Sequence, residues 1–205
     1  MKNNRVIVVT GTPGTGKTRF ARLLGKKMCI DCINLTKFAK QYGLIKCYDH
    51  KRRTYVANER ALTHSLARYL TALKKRVLVE GHYSGRVVPS RFTEVVFVLR
   101  CDPEILKMRL KKRGYSNQKI RENVEAEVLD ICLSEAIASQ GLEKVAELNT
   151  SLRTIKSSVE EALRILNRKK PRQIARCDWL TELENRGKLD RFLKEQAVDW
   201  KRRLS

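Results

Sequence analysis

Long apolar runs are missing from this chain of 205 residues. No stretch approaches the roughly 20 consecutive apolar residues of a membrane helix, so no membrane partner is expected. A charged-then-apolar leader is missing too, because the N-terminus runs directly into Val6-Ile7-Val8-Val9. A cytoplasmic protein is expected. Acidic residues are scarce: 22 Asp and Glu stand against 44 Lys and Arg, a formal net charge of +22. A solvated surface of the thermophile kind enriches both signs together, which this chain does not do. Internal repeats are absent, and the length suits one α/β domain, with room for an appendage.

The excess of positive charge calls for a polyanion. Nucleotide phosphates alone need only a few local cations, whereas clusters recur at Lys51-Arg52-Arg53, Lys74-Lys75-Arg76, Lys107 to Arg113 and Arg168-Lys169-Lys170. Contact with nucleic acid is therefore expected. Six cysteines without a secretion signal read as reduced thiols. Cys29-x-x-Cys32 and Cys47-x-x-His50 are separated by a 14-residue gap, a spacing compatible with zinc. Cys32, however, lies in a Cys-Ile-Asn-Leu run that reads as a strand and would make it a small core residue, so zinc is not expected.

Gly11-Thr12-Pro13-Gly14-Thr15-Gly16-Lys17-Thr18 carries the most specific signal. It follows the apolar strand Val6 to Val9 and leads into Arg19-Phe20-Ala21-Arg22-Leu23-Leu24, apolar at helical spacing. This is the G-x-x-x-x-G-K-T phosphate loop in its strand-loop-helix setting. Its glycines allow positive φ and bring successive N–H groups toward phosphate oxygens, and the helix start adds its positive end. Lys17 is the expected mobile cation for the β- and γ-phosphates, and Thr18 a hydroxyl ligand for Mg²⁺.

Further strands are expected at Cys32 to Leu35, Arg76 to Val79, Val95 to Leu99 and Val145 to Leu148. Helices are expected from a Thr36 cap over Lys37 to Tyr42, from Glu59 to Lys74, from Asp102 to Arg113, as one long element through Ile120 to Ser139, and from Val159 to Leu166. Leu44 to Asn58 reads as a polar, turn-like arm. Alternating strands and helices mean an α/β fold with a doubly wound parallel sheet and helices on both faces, its ligand at the carboxyl ends of the strands. Pro171 marks a boundary between residues 1–170 and a basic helical tail, 171–205. Leu189, Phe192, Leu193 and Trp200 form the tail's apolar face, which is expected to dock on the chain's own domain.

Three features belong to the strand ends. Glu80 ends an apolar strand, where phosphate-loop enzymes place an acid for Mg²⁺. His82 projects near the same edge, either to orient water or the transferred group or as a satisfied turn histidine. Arg109, Lys112 and Arg113 precede Gly114-Tyr115 as cations at a hinge that closes on the triphosphate.

Together with Ile33-Asn34-Leu35, Cys47-Tyr48-Asp49, Val79-Glu80-Gly81-His82, Val96 to Arg100, Arg113-Gly114-Tyr115, Lys119-Ile120 and Glu122-Asn123, the loop resembles the adenylate kinase isoenzyme 6 family over about residues 4 to 167. The resemblance implies a P-loop NTPase core, a nucleotide-monophosphate arm at about 34–57 and a short lid at about 112–122. It implies adenylate kinase and ATPase activities with Mg²⁺, ATP and AMP, in maturation of the small ribosomal subunit. Its partners would be a ribosomal platform protein and rRNA, and the protein a monomer or weak dimer. Lys17, Glu80, His82 and Arg113 fall on its catalytic positions, Gly14, Thr15, Gly16, Lys17, Thr18, Arg19 and Arg113 on its ATP-binding positions, and Arg52 or Arg53 is the expected AMP-phosphate clamp. Glu80 is one methylene longer than the aspartate of eukaryotic members. Arg19 replaces a hydroxyl residue, so only its backbone N–H carries over. A small kinase for another acceptor, and an ATP-gated assembly factor with incidental kinase turnover, are the alternative readings.

Overall fold

The computed structural model describes residues 5–49, 54–73 and 75–194. The chain begins with β1 (Val6–Thr10), α1 (Lys17–Met28), β2 (Asp31–Asn34) and α2 (Leu35–Gln41). Next come β3 (Ile45–Asp49), β4 (Thr54–Ala57), α3 (Glu59–Ala72), β5 (Val77–Glu80) and α4 (Ser84–Val87). It continues through β6 (Thr93–Arg100), α5 (Pro103–Lys112), α6 (Asn117–Val128), α7 (Ile131–Gln140), β7 (Val145–Asn149), α8 (Ile155–Leu166) and α9 (Trp179–Asn185). The main sheet has the order β2-β5-β1-β6-β7, and every pairing in it is parallel. As expected, helices cover both faces.

Strand periodicity explains the two layers. Val6 and Val8 of β1 face one core with Val77, Val79, Val96 and Val98, while Ile7 and Val9 face the other with Leu78, Phe97 and Leu99. The first core is closed by Phe38 of α2, Leu62 and Leu66 of α3 and Ala136 of α7. The second is closed by Phe20 and Leu24 of α1 and by Val159 and Ala162 of α8. A third cluster lies beyond the carboxyl ends of the strands. There Leu106 and Leu110 of α5 meet Ile120, Val124 and Val128 of α6.

The structure corrects several local expectations. Asn34, not Thr36, caps α2, because its side chain accepts the Lys37 N–H at 2.9 Å and the helix starts at Leu35. The arm is not a run of turns: β3 and β4 pair antiparallel as a separate two-stranded ladder, with Tyr48 opposite Tyr55. Cys32 is exposed rather than buried, since β2 is an edge strand. The single long helix expected through Ser139 is two, broken at Leu129-Asp130, where Asp130 takes a left-handed φ of 56° and pairs its carboxylate with Arg100. Cys29 and Cys47 are exposed, and His50 lies outside the described residues. Among the described residues no group of three or more His, Cys, Asp or Glu side chains is gathered for a metal ion. None of the described helices is long and apolar enough to cross a membrane.

The described part of the segment after Pro171, residues 172–194, packs on its own chain, and of the expected apolar face Leu189 and Phe192 take part. It first follows the open side of β7, where the Glu147 N–H donates to the Gln173 carbonyl at 2.8 Å. Cys177, Trp179 and Leu183 then insert into the third cluster, with Leu189 and Phe192 packed against its margin. Leu193 stays half exposed, and Trp200 lies outside the described residues. Ion pairs from Arg186 to Asp102 (2.5 Å) and from Lys188 to Glu104 (2.7 Å) tie the segment to the start of α5. Deleting residues 171–205 strips this cover from Leu106, Leu110 and Val124. Urea denaturation of the shortened chain should show a loss of more than about 3 kcal/mol, the scale of removing one buried tryptophan. An unchanged midpoint would mean that the segment adds nothing to the core.

Candidate active site

The loop between β1 and α1 is shaped by what glycine alone permits. Gly11 has φ 132°, and a Cβ there would lie 2.3 Å from the Leu99 carbonyl oxygen of β6. Gly16 has φ 99°, and its carbonyl accepts the Phe20 N–H at 3.0 Å as α1 begins. Thr15 is buried; its hydroxyl donates to the Thr12 carbonyl at 2.9 Å, and its own carbonyl accepts from Thr150 Oγ1 at 2.9 Å. Lys17 Nζ arches over the loop, donating to the carbonyls of Gly11 (2.7 Å) and Thr12 (3.0 Å). Burial lowers its pKa, and the charges of Glu80 and Glu127 work against that shift.

At the end of β5, Glu80 is buried beside the loop. Thr18 Oγ1 donates to Glu80 Oε1 at 3.1 Å, and Asn34 Nδ2 donates to the same oxygen. Hydroxyl and carboxylate are thus adjacent hard oxygen donors at the edge of the phosphate loop, a donor set suited to Mg²⁺. Asn34 both caps α2 and steadies Glu80, a role that no motif in the sequence advertised. The carbonyl of His82 accepts from Thr10 Oγ1 at 2.9 Å, while its ring stands edge-on to Tyr83. The ring keeps solvent access along the cleft. Partial desolvation inside the cleft, then the charges of Lys17, Arg86 and Lys119, push its pKa down to about 3.

These groups line one open cleft of about 630 Å³. Gly14, Gly16, Lys17, Thr18 and Arg19 form its loop side, Glu80 and His82 its floor, and Arg113 reaches it from the end of α5. The cleft is lined as well by Tyr55 of the β3–β4 ladder and by Arg86 of α4, whose guanidinium bridges Glu59 and Glu135 at 2.6 Å each. Arg86 was not singled out in the sequence, where it sits in no charge cluster. Two hinge cations behave otherwise than expected. Arg109 donates to the Thr150 and Ser151 carbonyls (3.0 and 3.2 Å) and so braces α5 against the turn after β7 rather than facing the triphosphate. Lys112 is exposed and outside the cleft lining. Arg52 and Arg53 lie outside the described residues.

Residues 7–130 match the AAA domain family. The chain is 36% identical over 173 residues to a Methanocaldococcus jannaschii protein named "Putative adenylate kinase", a match covering 84% of this chain and 92% of that one. The chain belongs to a family of small P-loop kinases of adenylate kinase type. A relative of the same name from Pyrococcus furiosus is 36% identical over 174 residues, covering 85% of this small P-loop kinase-family chain and 91% of its own. Among solved structures, a sugar kinase from Janibacter sp. HTCC2649 has the same fold, with a TM-score of 0.55 at 18% identity, over 80% of this chain and 95% of that one.

The depressed His82 pKa has a definite sign. An ordinary imidazole protonates near 6.5, so the unfolded chain takes up the proton before the folded one does. The stability that neutral His82 contributes is complete above about pH 6.5 and is lost as pH falls toward about 3. Carbon and nitrogen shifts of the His82 ring should therefore stay those of a neutral imidazole from pH 8 to about pH 5. Protonation with a midpoint near 6.5 would contradict this electrostatic picture of the cleft.

Proposed function

We propose that the protein is an adenylate kinase that transfers the γ-phosphoryl group of ATP to AMP, with a slower ATPase activity, and that it works in maturation of the small ribosomal subunit. The observation that carries the enzymatic part is a single cleft lined by the phosphate loop, Glu80, His82 and the two arginines Arg86 and Arg113. Family membership supports it, and so does the name borne by the archaeal relatives.

The phosphates of ATP lie along the loop N–H groups and the start of α1. Lys17 exchanges the Gly11 and Thr12 carbonyls for the β- and γ-phosphates, and Arg113 approaches from the lid side. Thr18 and Glu80 would hold Mg²⁺, which would neutralise charge on those phosphates. An oxygen of the AMP phosphate attacks the γ-phosphorus in line. The new P–O bond forms as the bond to the bridging oxygen breaks, and the electron pair leaves on the β-phosphate of ADP. Lys17 and the loop N–H groups stabilise that charge, so positioning and electrostatics carry the reaction. AMP lies against the wall of Tyr55 and Arg86, with Arg52 or Arg53 completing the phosphate clamp.

A second reading, ATP hydrolysis as the main activity of an assembly factor, is favoured by one observation: His82 lines the same cleft as Glu80 and Lys17 with its ring accessible to water. The ribosomal part rests on the net charge of +22 and on the sequence resemblance. The partners proposed are a platform protein of the small subunit and adjacent rRNA.

Release of ADP from Mg·ATP, with and without AMP, separates the readings. AMP should raise ADP output many-fold, and Lys17→Ala should lower kcat at least about 100-fold. Arg86→Ala should raise KM for AMP about tenfold by removing one charge-assisted contact. His82→Ala should reduce only the AMP-independent release. ADP output indifferent to AMP but dependent on His82 would replace the kinase by the ATPase. Small-subunit rRNA should be retained with an affinity that falls steeply between about 50 and 200 mM salt; absence of such binding would remove the ribosomal part.

A further inference from the structure

Phosphate loop, α6 and C-terminal segment converge on one carboxylate. Glu127 of α6 is only 1% exposed. Its Oε2 accepts the hydroxyl of Thr12 at 2.5 Å. Its Oε1 accepts Arg100 Nε at 2.8 Å, the Cys101 N–H at 3.0 Å and the indole N–H of Trp179 at 3.2 Å. Thr12 is the pivot of the loop, since its carbonyl receives both Lys17 Nζ and the Thr15 hydroxyl. The transfer chemistry needs no acid here. What Glu127 does is hold Thr12 from behind, in an orientation that its donors on the other oxygen determine.

We propose that Trp179 is a positioning residue of the nucleotide site, acting through Glu127 on Thr12, so that a seated C-terminal segment and a nucleotide-ready phosphate loop are one linked state. The proposal rests on the reading of the loop as the ATP site. A carboxylate is planar, so a donor lost from Oε1 frees the angle at which Oε2 meets Thr12. The segment has a second hold on the same cluster: Arg100 Nη1 pairs with Glu147 at 2.7 Å, and the Glu147 Oε2 accepts the Arg176 N–H at 2.7 Å. Linkage is reciprocal, so bound nucleotide tightens the seating of Trp179 by the factor by which seating tightens nucleotide.

The test uses the full chain carrying Trp200→Phe, which leaves Trp179 as its single tryptophan, with Mg·ADP as the probe. Saturation with Mg·ADP should change the emission of Trp179. Trp179→Phe keeps an aromatic ring and removes the N–H; it should raise Kd for Mg·ADP about five- to tenfold. Thr12→Val should do the same, and the double variant should be no weaker than either single one. Affinity unchanged in Trp179→Phe, or effects of the two substitutions that multiply independently, would overturn the proposal. Should Trp179→Phe not fold, Thr12→Val decides alone: Mg·ADP should then bind without altering Trp179 emission, and a retained change overturns the linkage. Failure of the unsubstituted chain to bind Mg·ADP at all, with Lys17→Ala indistinguishable from it, would instead remove the ATP-site reading and the linkage with it.

Discussion

Arg100 is the residue on which the carboxyl edge of the sheet depends. A guanidinium withdrawn from water costs several kcal/mol unless every N–H finds an acceptor, and here the end of β6 delivers it among Glu127, Glu147 and Asp130. Burial alone would lower its pKa, but Glu127 foremost among the carboxylates holds it above its ordinary range, so it stays charged. Each carboxylate belongs to a different element: α6, β7 and the break before α7. The cation therefore specifies how those elements meet, more than it adds net stability. Removing Arg100 would leave two buried carboxylates, Glu127 and Glu147, without the cation they share.

The chemistry is arranged by the same edge. Parallel strands end together, so β1 delivers the loop, β5 delivers Glu80 and His82, and β6 delivers the ion cluster within a few residues of one another. Cations that could crowd the cleft are assigned separately. Arg109 is spent on the turn after β7 and Arg100 is enclosed, while Lys17 and Arg113 stay in the cleft lining.

Much of this was legible in the sequence because its physics is local. Val6 to Val9 alternate between two buried faces, the glycines of the loop follow from a required backbone path, and Pro103 after Asp102 starts α5 where expected. What sequence reading missed depended on distant partners. The α6–α7 break looked like uninterrupted helix because nothing local marks Asp130, whose left-handed φ goes with a carboxylate that accepts from Arg100, 30 positions away. Cys32 looked buried because periodicity does not tell an edge strand from a central one. The role of Asn34 depends on Glu80, 46 positions away, and that of Glu127 on Thr12, 115 positions away. The β3–β4 ladder was hidden by polar residues that suit a solvent-facing hairpin as well as they suit turns.

The hydrogen bond from Glu147 to Gln173 also bears on solubility. An open sheet ends in strands whose unpaired amides invite another chain to continue the ladder. On the β7 side the chain supplies that neighbour itself, and Arg176 adds a contact to the Glu147 carbonyl. On the other side β2 is only four residues long, with Asp31 at its start ion-paired to Lys75. One border is partly covered and the other is short and charged, so both edges of a parallel, apolar sheet are less open to another strand.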